Sequence, residues 1–284
     1  MTTGTAAREI SYAHGARTPA GRAAIRAIEN LTGRPRLLRM AQGYEADVAA
    51  GADFWEVMAA RYGVRLEVDG LERIPTTGPA IVVANHPFGI LDGLAMGLML
   101  RRRRADFRIL AHQVFGRAPD VASAILPISF DATREGMAAN LATRRAAEAH
   151  VAGGGCLAVF PGGTVSTAAR AWGRALDPAW KTFTAKLVQR TGAPVFPVFF
   201  DGANSRLFQI ASHAHMTLRL ALLIREFGAR LGEPVRAHVG EPPPATEIAR
   251  HRGDARALMA HLRTAVYALS PTPLADISPG RSFD

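Results

Sequence analysis

His86 and Asp92 are the residues of this chain whose types and spacing most readily do chemistry. They sit in Asn85-His86-Pro87-Phe88-Gly89-Ile90-Leu91-Asp92-Gly93, six positions apart. An imidazole moves a proton near neutral pH, and a carboxylate bonded to it fixes its tautomer and raises its basicity. On one continuous helix a separation of six turns the two side chains to different sides, because residues share a face at three or four apart. Pro87 and Gly89 argue against a helix between them, so the loop must fold back for the two to touch. A second reading fits the same residues: Asp92 caps the helix that follows, and His86 ends a strand.

The flanking segments supply the scaffold. Ala80-Ile81-Val82-Val83-Ala84 is short, branched and bounded by Gly78-Pro79, which predicts a buried strand. Leu94 to Leu100 lacks β-branching and predicts a helix. A strand, a tight loop with a His and an Asp, and a helix is a common way to hold catalytic groups. A second constellation, Phe160-Pro161-Gly162-Gly163-Thr164-Val165-Ser166-Thr167, follows the apolar run Leu157 to Phe160. Its glycines let backbone N–H groups approach a ligand, and Thr and Ser add donors. It is not a Walker loop, since Gly-Lys-Ser/Thr is missing, and an ordinary strand-to-helix turn fits it too. A third is Ala193 to Phe200, a strand whose prolines suggest an edge or strand-end position. Asp201-Gly202-Ala203-Asn204-Ser205 follows it and reads as a turn first and a polar contact second. The Gly-x-Ser-x-Gly elbow of serine hydrolases is absent. His213-x-His215 has no third ligand in view, so no metal site is expected.

Strands alternating with helices predict an α/β domain over residues 64–245. Residues 1–63 read as an N-terminal helical segment, and 246–284 as a closing helix, Thr246 to Leu269, with a loose tail. With 48% hydrophobic residues and 20% charged, the chain has material for a real core. The net charge of +10 comes almost wholly from arginine, and it suits anionic partners without choosing among them. Arg101-Arg102-Arg103-Arg104 closes a helix, either as a solvated end that complements the dipole or as an anionic docking patch. No aromatic-basic stacking pattern or recognised motif points to nucleic acid. The single cysteine, Cys156, excludes an internal disulfide and reads as a buried small residue entering a strand. No stretch is apolar enough for a spanning helix, and the start lacks a signal-peptide core. Cytoplasmic synthesis and peripheral contact with a membrane surface are the expectation.

Taken together and in this order, these blocks resemble the lysophospholipid acyltransferase family. Its first block is Asn-His, four residues, then Asp; Asn85-His86 and Asp92 match with five residues between. Its third block is Phe-Pro-Glu-Gly-Thr-Arg-Ser; Phe160-Pro161, Gly163-Thr164 and Ser166 match, with Gly162 for the Glu and Val165 for the Arg. Its last block, a Pro-containing apolar strand, is matched by Val195-Phe196-Pro197-Val198, and Val114-Phe115-Gly116-Arg117 is a weak match to the second. The resemblance spans about residues 64–245. The variant Asn-His-Pro-Phe-Gly-x-Leu-Asp-Gly, with Phe-Pro-Gly-Gly and Asp-Gly-x-Asn-Ser, is similar to a hemolysin-like subgroup associated with acylating lyso-aminolipids such as lyso-ornithine lipid.

The resemblance implies a glycerolipid acyltransferase-like fold, a mixed central sheet flanked by helices. It implies an O-acyltransferase that moves a fatty acyl chain from an acyl thioester to a hydroxyl of a lyso-lipid. His86 would be the general base and Asp92 its partner. Asn85, Arg117, Gly162, Gly163 and Thr164 would bind substrate. No cofactor is implied beyond acyl carrier protein or coenzyme A as co-substrate, and the place of work would be the cytoplasmic face of the inner membrane. Because the Glu and Arg of the third block help hold a glycerol phosphate in the family, their replacement favours a lyso-aminolipid over lysophosphatidic acid. A non-catalytic lipid- or carrier-binding protein with the same fold is the alternative.

Overall fold

The computed structural model describes residues 10–16, 18–112, 119–129 and 133–283. Nine strands are described: β1 (Arg65–Asp69), β2 (Ala80–Ala84), β3 (Phe107–His112), β4 (Ile125–Ile128), β5 (Cys156–Val159), β6 (Thr167–Ala168), β7 (Ala175–Leu176), β8 (Val195–Phe200) and β9 (Pro234–Val239). The helices are α1 (Pro19–Thr32), α2 (Arg34–Ala41), α3 (Tyr44–Ala49), α4 (Phe54–Tyr62), α5 (Ile90–Arg101), α6 (Pro119–Ala122), α7 (Arg134–Ala152), α8 (Phe183–Thr191), α9 (Arg206–Ala214), α10 (Met216–Arg230), α11 (Ala245–Arg250) and α12 (Ala255–Tyr267). Seven strands form one sheet in the order β1-β9-β8-β2-β5-β3-β4, and β6 pairs with β7 as a separate antiparallel hairpin. Every pair in the large sheet is parallel except β8 with β9, so the sheet is mixed, as expected.

The period-two alternation of strands assigns each side chain to one of two cores. Val82 and Ala84 of β2, with Phe196, Val198 and Phe200 of β8, pack on one face against α5 and α4. Ile81 and Val83, with Val195 and Phe199, pack on the other against α7, α8 and α12. Burial on both faces explains why β2 is an unbroken apolar run. β2 lies in the middle, between β5 and β8, in parallel register with both: Val83 is opposite Val159 and Pro197. The C-terminal ends of β5, β2 and β8 therefore meet at one edge. The 160–164 turn, the 85–89 loop and the 201–205 turn leave from that edge side by side, which is where ligands bind in open α/β sheets.

Three expectations are corrected. β8 is not an edge strand: it lies between β2 and β9. Its prolines are tolerated because the β9 ladder begins only at Val198, while the carbonyls of Pro197 and Pro194 still accept from Gly240 and Ile81. The closing helix is two helices, broken where Gly253 takes φ +87° and Asp254 caps α12 by accepting from Arg256 and Ala257. The tail is docked: Gly280 N–H donates to the Asp177 carbonyl at 2.8 Å and Arg281 N–H to the Thr167 carbonyl at 3.0 Å. The arginine run is engaged with groups of the protein itself, Arg101 and Arg102 at the surface and Arg104 in the interior. Arg101 pairs with Asp53 and Arg102 with Glu56, Arg103 bonds the Ile74 carbonyl, and buried Arg104 bonds Asp106 and the carbonyls of Pro75, Gly78 and Gly154. That leaves little of it for an anionic partner.

Candidate active site

Asn85 directly follows β2 and is buried. Its side-chain amide donates to the Phe200 carbonyl at 2.8 Å and accepts from the Phe200 N–H at 2.7 Å. Both polar ends thus stitch the loop to the end of β8. His86 follows. Its ring lies 4.5 Å, centroid to centroid, from that of Phe160 with 27° between the planes, so the aromatic residue of the neighbouring block sets the imidazole's tilt.

The loop does fold back. His86 Nδ1–H donates to Asp92 Oδ2 at 2.8 Å. The same oxygen accepts the N–H groups of Phe88 at 2.8 Å and Gly89 at 2.9 Å. Asp92 therefore bonds the helix start and the imidazole together: it stands in the first turn of α5, whose N-cap is Gly89, takes the N–H of that residue, and accepts from the histidine. Gly89 makes the turn possible with φ +90°, a conformation L side chains rarely adopt. The extra residue in the loop does not separate the pair, because α5 begins at Ile90 rather than Gly93 and brings Asp92 back under the ring. Asp92 is fully buried while the His86 side chain is 20% exposed. With Nδ1 engaged, Nε2 is the nitrogen left to exchange a proton with a substrate.

The 160–164 turn is tied to this loop. Ser166 N–H donates to the His86 carbonyl at 2.8 Å. His86 N–H donates to Oδ1 of Asp177 at 3.1 Å, and Ser166 Oγ–H and Trp180 Nε1–H donate to the same carboxylate. Asp177 is wholly buried, and burial pushes its pKa up while these donors oppose the shift. Gly163 carries φ +67° and closes the turn by donating to the Phe160 carbonyl. The Cβ direction of Gly162 faces Asp177. Thr164 Oγ1 accepts from Arg219, a buried guanidinium of α10 that also donates to Ser212 Oγ, Thr167 Oγ1 and the Val165 carbonyl. Phe208 and Phe283 cover its faces, and desolvation draws its pKa down to about 9, which still leaves it charged at neutral pH.

Tyr12, from the segment before α1, comes up beside the histidine loop: its hydroxyl oxygen lies 3.1 Å from where a Cβ on Gly89 would be. Burial, then the Asp92 charge, raise its pKa, so it stays a neutral phenol. Arg117 lies outside the described residues. Asp177, Tyr12 and Arg219 had no signal in the sequence, since each joins the site from a distant segment with no motif around it. His213 and His215 serve other ends: His213 bonds the Ala168 carbonyl and Arg281, and His215 caps α10.

A family model described as "Acyltransferase" matches residues 48–273, and the chain belongs to this acyltransferase family, of the lysophospholipid kind that its blocks resemble. Among curated proteins it is similar to the lyso-glycine lipid O-acyltransferases of Phocaeicola vulgatus and Bacteroides thetaiotaomicron, 30% and 31% identical over 160 residues. Those stretches cover 56% of this chain and 54% and 56% of the two relatives, so the chain spans about half the length of the curated relatives it matches. Among solved structures, the 1-acyl-sn-glycerophosphate (LPA) acyltransferase of Thermotoga maritima is similar with a TM-score of 0.46 and 17% identity, over 92% of this chain and 87% of that one.

Proposed function

We propose that the protein is an O-acyltransferase that moves a fatty acyl chain from an acyl thioester, on acyl carrier protein or coenzyme A, to a hydroxyl of a lyso-lipid. The observation that carries this reading is the 2.8 Å bond between His86 Nδ1 and buried Asp92, on a histidine whose side chain remains partly exposed. It weighs against a protein that keeps the fold and only binds lipid or carrier. His86 Nε2 takes the proton of the acceptor hydroxyl as that oxygen attacks the thioester carbonyl. Asp92 stabilises the imidazolium as it forms, and no acyl-enzyme is needed. The tetrahedral intermediate collapses, the C–S bond breaks, and the departing thiolate receives the proton from His86.

The acceptor is a lyso-aminolipid, of the lyso-glycine or lyso-ornithine kind, ahead of lysophosphatidic acid. The replacement of Glu and Arg by Gly162 and Val165 supports this, as do the activities named for the two curated relatives. The place of work is a membrane surface, the cytoplasmic face of the inner membrane. Among the described residues no helix is long and apolar enough to cross a membrane. Trp172, Leu207, Ile210, Met216 and Leu218 are exposed on the β6–β7 loop, α9 and α10, with Arg170, Arg174 and Arg206 exposed beside them in sequence. Apolar side chains among basic ones suit an anionic lipid interface.

The test is His86→Ala assayed with acyl thioester and lyso-aminolipid. The expected loss is roughly 100- to 10,000-fold in kcat, the usual worth of a general base. Full retained activity would sink the assignment.

A further inference from the structure

The geometry points to a head-group site for an N-acylated amino acid in the cavity between the β6–β7 loop and the start of α9, built on Asn204 and Gln209. This rests on the reading of the acceptor as a lyso-aminolipid. The cavity has a volume of about 280 Å³ and is lined by Asn204, Gln209, Arg174 and Arg206 with the backbone around Gly173 and Ala203. Asn204 is 5% exposed and Gln209 1%. Neither polar atom of the Asn204 side chain has a hydrogen-bond partner, and Gln209 Nε2 has none. Gln209 Oε1 accepts from Ala168 N–H at 2.9 Å, which fixes the amide so that its nitrogen is the end left over. Unpaired amides this deeply buried are uncommon, because each forfeits its bonds to water.

What would satisfy them follows from their count. One acceptor, Asn204 Oδ1, and two amide nitrogens are open. A phosphate offers acceptors alone and leaves Oδ1 unmatched. A secondary amide offers an N–H for Oδ1 and a carbonyl for one nitrogen. An adjoining carboxylate serves the other nitrogen, and Arg174 and Arg206 on the cavity wall supply the charge it seeks. An amino acid acylated on its nitrogen carries these groups in this order. Two short chain links join the cavity lining to the histidine loop. Ala168, which holds Gln209, is two residues past Ser166, whose N–H bonds the His86 carbonyl. Asn204 is two residues past Gly202, where a Cβ would meet the ring of Phe88 in the histidine loop at 2.7 Å.

The experiment is calorimetric titration of the whole chain with N-acetylglycine and, separately, with glycerol 3-phosphate, for the wild type, Asn204→Leu and Asn204→Asp. N-acetylglycine binds the wild type, and both variants weaken it at least tenfold; glycerol 3-phosphate neither binds there nor competes. The kcat/KM for an N-acyl amino acid lyso-lipid falls at least tenfold in the same variants. Asn204→Asp keeps the shape of the side chain, so it carries the test if Asn204→Leu fails to fold. Equal binding in wild type and variants, glycerol 3-phosphate binding that the variants abolish, or a crystal soaked in N-acetylglycine that shows water only in the cavity would each overturn the site. If the probe binds and no lyso-lipid is acylated, the site stands and the acyltransfer reading falls. If acylation proceeds unaffected by the variants, the site falls alone.

Discussion

Oδ2 of Asp177 lies 3.2 Å from the point where a Cβ on Gly162 would sit, with Cγ at 3.3 Å. Gly162 has no left-handed backbone to forbid a side chain; what fills its space is the carboxylate of a residue from the far side of the β6–β7 hairpin. The space that a side chain at Gly162 would take is therefore held by the carboxylate that accepts from His86 N–H, Ser166 and Trp180. Gly162→Glu alone is expected to crowd Asp177 and lose activity at least tenfold, and Asp177→Ala to lose at least as much by freeing the histidine loop. The double variant Gly162→Glu/Asp177→Ala regains activity over Asp177→Ala. Turnover measurements on the four proteins give the coupling, and effects that simply add would rule out the exchange.

Asp92 separates cap from charge. Its Oδ2 takes all three hydrogen bonds while Oδ1, buried, takes none. Asp92→Asn can place its carbonyl oxygen where Oδ2 is, keep the three bonds, and lose only the charge. Thermal unfolding should move by a few degrees, while kcat falls on the order of 100-fold or more for want of a counter-charge to the imidazolium. Asp92→Ala should lose both. Comparable Tm losses in the two variants would show that the carboxylate serves the helix alone.

Cys156 enters β5 fully buried, and burial pushes its thiol up to about 12. A raised pKa disfavours the thiolate, so at pH 8 the native protein should show no thiol to a disulfide reagent, and one after unfolding in denaturant. Cys156→Ala should keep its turnover and lose roughly 1–2 kcal/mol of stability from the emptied core volume. Fast labelling of the native state would contradict this packing.

The tail is a structural member of the site. A Cβ on Gly280 would come to 2.0 Å from the Leu176 carbonyl oxygen and 2.2 Å from that of Thr167. Gly280→Val must therefore lift the tail and with it Phe283, whose ring lies 4.0 Å from the Arg219 guanidinium carbon. Hydrogen exchange across residues 164–180 should quicken and kcat should fall about tenfold or more. Removing residues 277–284 should do the same, and unchanged exchange in both would show the tail to be ornamental.

Short-range pattern carried much of this molecule. The runs at 80–84, 157–160 and 195–200 declare buried strands by composition, and the loops that follow them declare themselves by Pro, Gly and polar residues. The ordered set of three blocks was legible for the same reason: each block is contiguous, and a parallel sheet places the ends of its strands together. That His86 and Asp92 meet was not legible, because six positions leave open whether the two touch, and the start of α5 at Ile90 with Gly89 at φ +90° brings one oxygen to both the helix start and the imidazole. Position within the sheet was decided in three dimensions too: prolines that suggest an edge sit in β8 between two neighbours, since the ladder is spared where they fall.

By itself, then, the sequence determined the strand–loop–helix units and which residues could do acid–base chemistry, for those depend on local dihedral preference and apolar periodicity. Only the tertiary structure decided the partners: Asp177 beneath Gly162, Tyr12 beside Asp92, Arg219 against Thr164, and the docked tail over them. A buried polar group must find a partner somewhere, but its neighbours in sequence do not say where, because the need is satisfied by whichever distant segment the packing brings within hydrogen-bond reach.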